Sequence, residues 1–358
     1  MNTNDAVLIA GGYGVVGQQA AELIRRRHPG LSLIIAGRNP SKAGTLARKL
    51  TNADIAMLDV EQPDPLKGIK PGAILSVVND PFDYLLMDAV RSGIPYLDIT
   101  RWTERLKVAA ARVSAESFRA PVMLSSAWMA GVAAVVAVAL SHQLRGVDRI
   151  DISILYSLKD KAGPNSAEYM DRLATPFEVM LNGERQQAHP YTDPRKITFP
   201  GGYSAKAYRF DTPDQLTLPA TTGAQTVAAR IAFDDAMVTS LLVLLSRSGI
   251  WRLISGDRFT SLRRSLLYNP GNGASHEMVI EASGVDENGS PKKACATIVD
   301  PKGQTHLTAL GALVQLERLL GLDGAPPPRP GIVYPDTAPQ IGSALQVLHD
   351  FGAAVTMS

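Results

Sequence analysis

The stretch GGYGVVG (11–17) stands between a short apolar run, AVLIA (6–10), and a segment whose apolar residues Val15, Ala20, Leu23 and Ile24 recur at helical spacing. A strand that turns on glycines straight into a helix restricts the possible folds sharply. The same alternation continues. LSLIIA (31–36), DIAMLDV (54–60), AILSVV (73–78), PYLDI (95–99) and PVMLS (121–125) read as further strands, with helical stretches at 40–50, near 82–92 and near 102–117. Asn39 and Pro40 offer an N-cap and a first-turn proline to the helix at 40–50. Apolar strands alternating with helices require a parallel sheet covered on both faces.

Gly12, Gly14 and Gly17 satisfy G-x-G-x-x-G at the strand-to-helix turn. In this reading Gly12 permits the tight turn, Gly14 lets the backbone approach a pyrophosphate, and Gly17 lets the helix pack closely on the sheet. The helix N–H groups then face the phosphates, with Tyr13, Val15 and Val16 completing the loop. A bare glycine-rich turn would show the same residues, but the strand–turn–helix context favours the dinucleotide site. Residues 1–126 are therefore expected to form a Rossmann doubly wound domain.

After the second strand, dinucleotide-binding proteins often carry an acid that takes the adenosine ribose hydroxyls. This chain carries AGRNPSK (36–42) instead. An acid would repel a 2′-phosphate. Here Gly37 leaves room, Arg38 is able to pair with phosphate, and Asn39, Ser41 and Lys42 add donors. The expected cofactor is NADP rather than NAD. An exposed arginine on a turn would explain the charge but not the missing acid. Asp59, at the end of the third strand pattern, is grouped with the cofactor residues.

A chain of 358 residues has room for two domains. Net charge is +2, too small to argue for nucleic acid or an acidic membrane. Cys295 is the single cysteine, so neither an internal disulfide nor a cysteine-rich zinc site is possible. The six histidines form no H-E-x-x-H pair, and no G-x-S-x-G elbow occurs, so neither a metal site nor a serine hydrolase is expected. The most apolar window, 127–140, is shorter than the roughly 20 residues that span a bilayer. No basic-then-apolar leader is visible, and the expected location is the cytoplasm.

Past residue 126 the pattern changes. An apolar helix is expected over roughly 131–143 and a strand over 148–158. Residues 276–309 read as a three-strand meander with turns at DENGS and DPKG, followed by an amphipathic helix at 309–321. The run 236–254 reads as a core helix, with a subunit contact as the alternative. Residues 127–330 are thus expected to be an α+β domain with a mostly antiparallel sheet.

Ligands of open α/β sheets bind beyond the carboxyl ends of the strands. That rule selects Asn79, Asp80 and Pro81, then Asp98, Thr100 and Arg101, then Ser125, Ser126 and Trp128. Asp98 is the first candidate for acid–base work, with a helix-capping carboxylate as the alternative. Tyr156 and Lys159 end a strand and are candidates to face the substrate, Tyr156 as a second catalytic group. His189 and Tyr191 read as a solvated loop.

The stretches GGYGVVG, AGRNPSKAGTLA, VVNDPFDYLLMDAVRSGIPYLDIT and GIVYPD together resemble the saccharopine dehydrogenase-like family, above all its NADP-binding domain. The third stretch carries most of the resemblance. The sequence departs from the family where NDPF (79–82) lacks the usual glycine, and where SSAWMAGVAA (125–134) replaces a G-F-x-P-G turn. That turn borders the substrate in the family, which puts Trp128 and Met129 among the substrate candidates. AGPNSAEYM (162–170) resembles a family loop near the nicotinamide and adds Asn165. The resemblance implies that 331–358 packs back onto the first domain, that the second sheet floors a substrate cleft, and that the protein is a homodimer. It also implies an NADP-dependent oxidoreductase acting on a small molecule. The expected reaction is reduction of an imine formed from an amino and a carbonyl compound, or the reverse amine oxidation. Reduction of a carbon–carbon double bond and a non-catalytic NADP-binding role remain alternatives.

Overall fold

The computed structural model describes residues 5–161, 172–249, 251, 259 and 271–358. The chain divides into two compact units. The first holds Met1–Gly131 with Thr308–Ala344, and the second holds Val132–Leu307 with Leu345–Ser358.

In the first unit, β1 (Val7–Ala10), β2 (Leu33–Gly37), β3 (Ala53–Met57), β4 (Ala73–Ser76), β5 (Tyr96–Asp98), β6 (Pro121–Leu124) and β15 (Gly331–Val333) form one sheet. Its order is β15-β6-β5-β4-β1-β2-β3. Every pairing is parallel. β1 lies between β4 and β2, so successive strands are added on opposite sides of it, and the carboxyl ends beside β1 form the switch point where such sheets take ligands. β1, β2, β4, β5 and β6 are buried along their whole length. Edge strand β3 leaves Ile55 and Met57 exposed. Helices α1 (Val15–Arg27), α2 (Gly44–Leu50), α3 (Tyr84–Ser92) and α4 (Thr103–Val113) connect the strands. α1 buries the stripe Gly17, Ala20, Ala21, Leu23 and Ile24.

In the second unit, β7 (Gly146–Tyr156), β10 (Arg195–Thr198), β11 (Ser204–Arg209), β12 (Thr226–Phe233), β13 (His276–Val285), β14 (Pro291–Asp300) and β16 (Ala354–Met357) form a sheet in the order β10-β11-β12-β7-β13-β14-β16. Only the β12–β7 pairing is parallel. One face carries Ile150, Ile152 and Ile154 of β7 beside Met278, Ile280 and Ala282 of β13, all buried. The apolar helix α5 (Val132–Ser141) packs on β7, β13 and β14 and against α6 (Asp214–Thr222). The opposite face carries charge. Asp151 pairs across the sheet with Glu281, and Ser153 with Arg230, so these residues point the same way. Asp151 is held by Arg149 at 2.6 Å, Arg195 at 2.9 Å and Arg230 at 2.6 Å. β8 (Phe177–Leu181) and β9 (Glu184–Ala188) make a separate hairpin. Its two-residue loop, Asn182 and Gly183, has positive φ at both positions, 53° and 80°, which fits a type I′ turn.

Three elements differ from the sequence reading. The expected third strand of the meander is the start of α8 (Gln304–Leu320). There Gly303 turns at φ 93°, and the Asp160 carboxylate accepts the Gln304 N–H at 2.7 Å, capping the helix five residues before its obvious apolar stripe. The C-terminal segment does not return as a whole to the first sheet. β15 joins β6, but β16 pairs with β14, and α9 (Ile341–Asp350) runs between them. The run expected as a core helix contains α7 (Ala236–Arg247), which Asp235 caps through the N–H groups of Met237 and Val238. It buries only Thr239 and Leu242, and leaves Met237, Leu241 and Leu244 exposed. Among the described residues, no helix is long and apolar enough to cross a membrane.

Candidate functional site: the carboxyl edge of the parallel sheet

The glycine-rich turn is built by contacts that a side chain would destroy. Gly11, not Gly12, takes the left-handed conformation at φ 78°, and its N–H donates to Ala36 O at 2.9 Å. Gly12 is needed for space: an added Cβ would lie 2.9 Å from Ile9 O and 3.0 Å from Ile35 Cγ2. At Gly17 it would lie 2.3 Å from Gly11 O, so α1 rests directly on the turn. Gly14 has only Gly11 O nearby, at 3.2 Å, and is exposed. It is the N-cap of α1, and the first helix bond is Gln18 N–H to Gly14 O. The N–H groups of Val15, Val16 and Gly17 therefore have no acceptor within the helix, and no acidic side chain occupies its first turn. These residues fit a pyrophosphate: an open glycine for close approach, free helix N–H groups, and a positive helix end with no competing acid.

At the end of β2 the room expected at Gly37 is filled. An added Cβ there would come within 2.6–2.7 Å of Cε1, Cζ and Oη of Tyr13. The Tyr13 hydroxyl accepts the Asn39 N–H at 2.9 Å, and the Ser41 hydroxyl donates to Asn39 Oδ1 at 2.6 Å. Arg38 and Lys42 are exposed, and Arg38 Nη1 lies 3.5 Å from Glu61 Oε1. Asp59 is half-buried and accepts the Glu61 N–H at 3.1 Å, which fixes the turn after β3.

Beyond β4 and β5 lies a buried ion network. Asp98 is fully buried with both oxygens engaged. Oδ1 accepts the Thr100 N–H at 2.8 Å and hydroxyl at 3.0 Å; Oδ2 accepts Tyr96 Oη at 3.1 Å and Arg101 Nε at 2.8 Å. This geometry holds Thr100 and Arg101 in place, as the structural alternative for Asp98 requires. Asp83, in a left-handed conformation at φ 60°, binds Arg101, Arg105 at 2.8 Å and Arg112 at 2.8 Å. Asp80 caps α3 by accepting the N–H groups of Tyr84 and Leu86. Burial pushes its carboxyl up to about 6, against the pull of the Leu86 N–H and Arg101, and with Asp98 and Asp83 adding to the rise. Asn79 is half-buried and Pro81 exposed at the mouth of this network. Sequence reasoning missed Asp83, Arg105 and Arg112. Their signal was the spacing of Arg105 and Arg112, seven residues apart, which lines two cations along one face of α4, with Arg101 just before its N-cap.

After β6 the chain makes three left-handed residues in succession: Met129 at φ 54°, Ala130 at 51° and Gly131 at 91°. Each non-glycine residue there costs about 1–2 kcal/mol. The turn is clamped. An added Cβ on Gly311 of α8 would meet Met129 O at 2.1 Å, and one on Gly131 would meet Pro335 Cβ at 2.4 Å. The Ser125 hydroxyl donates to Ala130 O, the Thr308 hydroxyl donates to Met129 Sδ, and Ser126 Oγ accepts the Arg101 N–H. Met129 is buried in these contacts, whereas Trp128 is half-buried.

The remaining candidates belong to the second unit. Tyr156 ends β7, half-buried, and its hydroxyl accepts Gln304 Nε2 at 2.9 Å. Lys159 is exposed. Asn165 lies outside the described residues. His189 is exposed, but Tyr191 is fully buried, so the expected solvated loop holds for the first and not the second.

Two outcomes follow. Asp80 has a folded pKa above its ordinary value of 3.8. The folded state therefore binds this proton more tightly, and stability falls as pH rises from about 4 to about 6, by up to roughly 3 kcal/mol. Asp80→Asn should lack that fall, so its stability relative to wild type should rise by about 2–3 kcal/mol between pH 4 and pH 7 in urea unfolding. A constant difference would show that Asp80 titrates normally. Gly311→Ala should gain about 1 kcal/mol from helix propensity alone, yet lose about 1–3 kcal/mol net through the clash with Met129 O. A raised melting temperature would mean the turn relaxes freely.

No family model matches the chain, and no curated protein sequence matches it. Solved structures do. The apo form of saccharopine dehydrogenase (L-Glu forming) from Saccharomyces cerevisiae superposes with a TM-score of 0.69 at 13% identity, over 99% of this chain and 99% of that one. A myo-inositol dehydrogenase from Corynebacterium glutamicum gives a TM-score of 0.44 at 13% identity over 98% of each chain, too distant to bear on the argument. The first likeness speaks for architecture: this chain has a saccharopine dehydrogenase-like fold.

Proposed function

We propose that the protein is an NADP(H)-dependent oxidoreductase that reduces an imine formed from an amino compound and a carbonyl compound, or oxidises the corresponding amine. The observation that carries the reading is the nucleotide edge of the parallel sheet. An acid-free helix N-terminus with an open Gly14 is followed, at the end of β2, by Arg38 and Lys42 in place of an acid. The fold likeness to saccharopine dehydrogenase supports the oxidoreductase class. The imine substrate rests on the sequence resemblance around 77–100 and 331–336.

In this reading the nicotinamide carries the hydride, and the protein's own residues hold and orient it. The N–H groups of Val15, Val16 and Gly17 bind the pyrophosphate. Arg38, Ser41 and Lys42 surround the 2′-phosphate. Thr100, fixed by Asp98, and Asn79 line the edge toward the reactive ring. Asp98 does not move the proton, since every direction in which its oxygens accept is taken. Tyr156 remains the candidate for that step. The protein is further proposed to be a homodimer, with the exposed stripe Met237, Leu241 and Leu244 of α7 as support.

The test of the reaction is NADPH consumption with a panel of aldehyde–amine pairs and enoyl thioesters. Turnover with the amine pairs alone is expected. Turnover only with enoyl compounds would move the activity to carbon–carbon bonds, and tight NADPH binding without turnover on any pair would leave a binding protein. Arg38→Ala should weaken NADPH binding about tenfold or more and barely alter NADH binding, since a hydrogen bond to a charged group contributes about 1.5–3 kcal/mol. Equal losses for both would overturn the 2′-phosphate assignment.

A further inference from the structure

We infer that Tyr13 is a specificity-determining residue of the nucleotide site: its phenol stands where a ribose-binding acid would stand, and its hydroxyl proton is directed to the 2′-phosphate of NADP(H). The inference rests on the dinucleotide-binding reading above and goes beyond it, since that reading gives Tyr13 no part in choosing between the nucleotides.

The steric part comes first. Gly37 is the last residue of β2, the position from which an acid reaches the ribose hydroxyls in NAD-binding members of this fold class. A carbon added at Gly37 would meet three atoms of the Tyr13 phenol at 2.6–2.7 Å. The ring therefore lies on the glycine and fills the volume that an aspartate side chain would need. The two residues form a pair: glycine at 37 is required by tyrosine at 13, and tyrosine at 13 excludes an acid at 37.

The hydrogen-bonding part follows. Tyr13 Oη accepts the Asn39 N–H at 2.9 Å. Its own O–H is then left as a donor. An acid at this edge only accepts, which suits the two ribose hydroxyls of NAD. A phenol oriented in this way donates, which suits an oxygen that only accepts, and a phosphate dianion is such a group. Asn39 Oδ1 already accepts the Ser41 hydroxyl at 2.6 Å. The charges around the phenol agree. Arg38 and Lys42 are exposed beside it, and the acid nearest Arg38, Glu61, holds it only through a solvent-exposed contact of 3.5 Å. Such a pair contributes little and yields readily to a phosphate.

The experiment is calorimetric binding of NADPH and of NADH to wild type and to Tyr13→Phe, with melting curves for both proteins. The phenylalanine keeps the ring on Gly37 and removes only the hydroxyl. NADPH affinity should fall about tenfold, NADH affinity less than twofold, and the melting temperature should hold. A phosphorus NMR titration of bound NADPH gives an independent readout. A free phosphate monoester loses its second proton near pH ~6. Donation from Tyr13 should hold the bound 2′-phosphate below that value in wild type, and the variant should raise it. Equal losses for both nucleotides would make Tyr13 a structural support of the loop and overturn the inference. So would an unchanged NADPH affinity or an unchanged phosphate titration. If wild type itself binds NADH as well as NADPH, the NADP(H) reading fails and this inference falls with it. If wild type prefers NADPH and Tyr13→Phe keeps that preference, the inference alone fails.

Discussion

Between Gly17 and Gly11 there is no room for a carbon atom: a Cβ on the first would sit 2.3 Å from the carbonyl oxygen of the second. This contact sets how closely the first helix rests on the first strand. It thereby aims the unpaired N–H groups of that helix along the carboxyl edge of the sheet. β1 is also the strand on either side of which the sheet grows, toward β2 and toward β4. The remaining elements of the edge are placed relative to this one backbone contact, from the Tyr13 ring over Gly37 to the ion network below Thr100.

The first unit was legible because β1, β2, β4, β5 and β6 are buried along their whole length and so write themselves as uninterrupted apolar runs. Much of the second unit was not. β9 reads ERQQA and is almost wholly exposed, so no alternation marks it. A signal was nonetheless present: the Asn182–Gly183 pair, between Leu181 and Glu184, is the strongest short-range mark of a hairpin. Residues 304–308 mislead in the other direction. Gln304, Thr305, His306, Leu307 and Thr308 look like the entry to a strand, and only the Asp160 carboxylate, 144 positions away, commits them to a helix.

The nucleotide edge was legible for the same kind of reason. Glycine spacing and the missing acid are local, and local patterns survive in a single sequence. The meaning of Gly37 was not local. It depends on a ring carried by a different loop, and the empty-looking glycine is in fact covered. Asp98 shows the reverse case. Its place after a strand suits a reactive or a structural carboxylate alike, and the four hydrogen bonds it accepts are displayed by no spacing rule.

The left-handed turn at Met129–Gly131 has a consequence for how the chain is made. Its clamps are Gly311, Thr308 and Pro335, and the Thr308–Met129 bond alone closes a separation of 179 residues. The outer partner of β6, β15, comes from the same late segment. At ~5–20 residues per second, a ribosome needs roughly 10–35 s to supply that stretch. During that interval β6 is an unprotected sheet edge, and the costly turn has only its local Ser125–Ala130 bond to hold it. The unit synthesised first is therefore completed after most of the second has emerged, and its open edge is where a nascent chain of this kind is most exposed to mispairing.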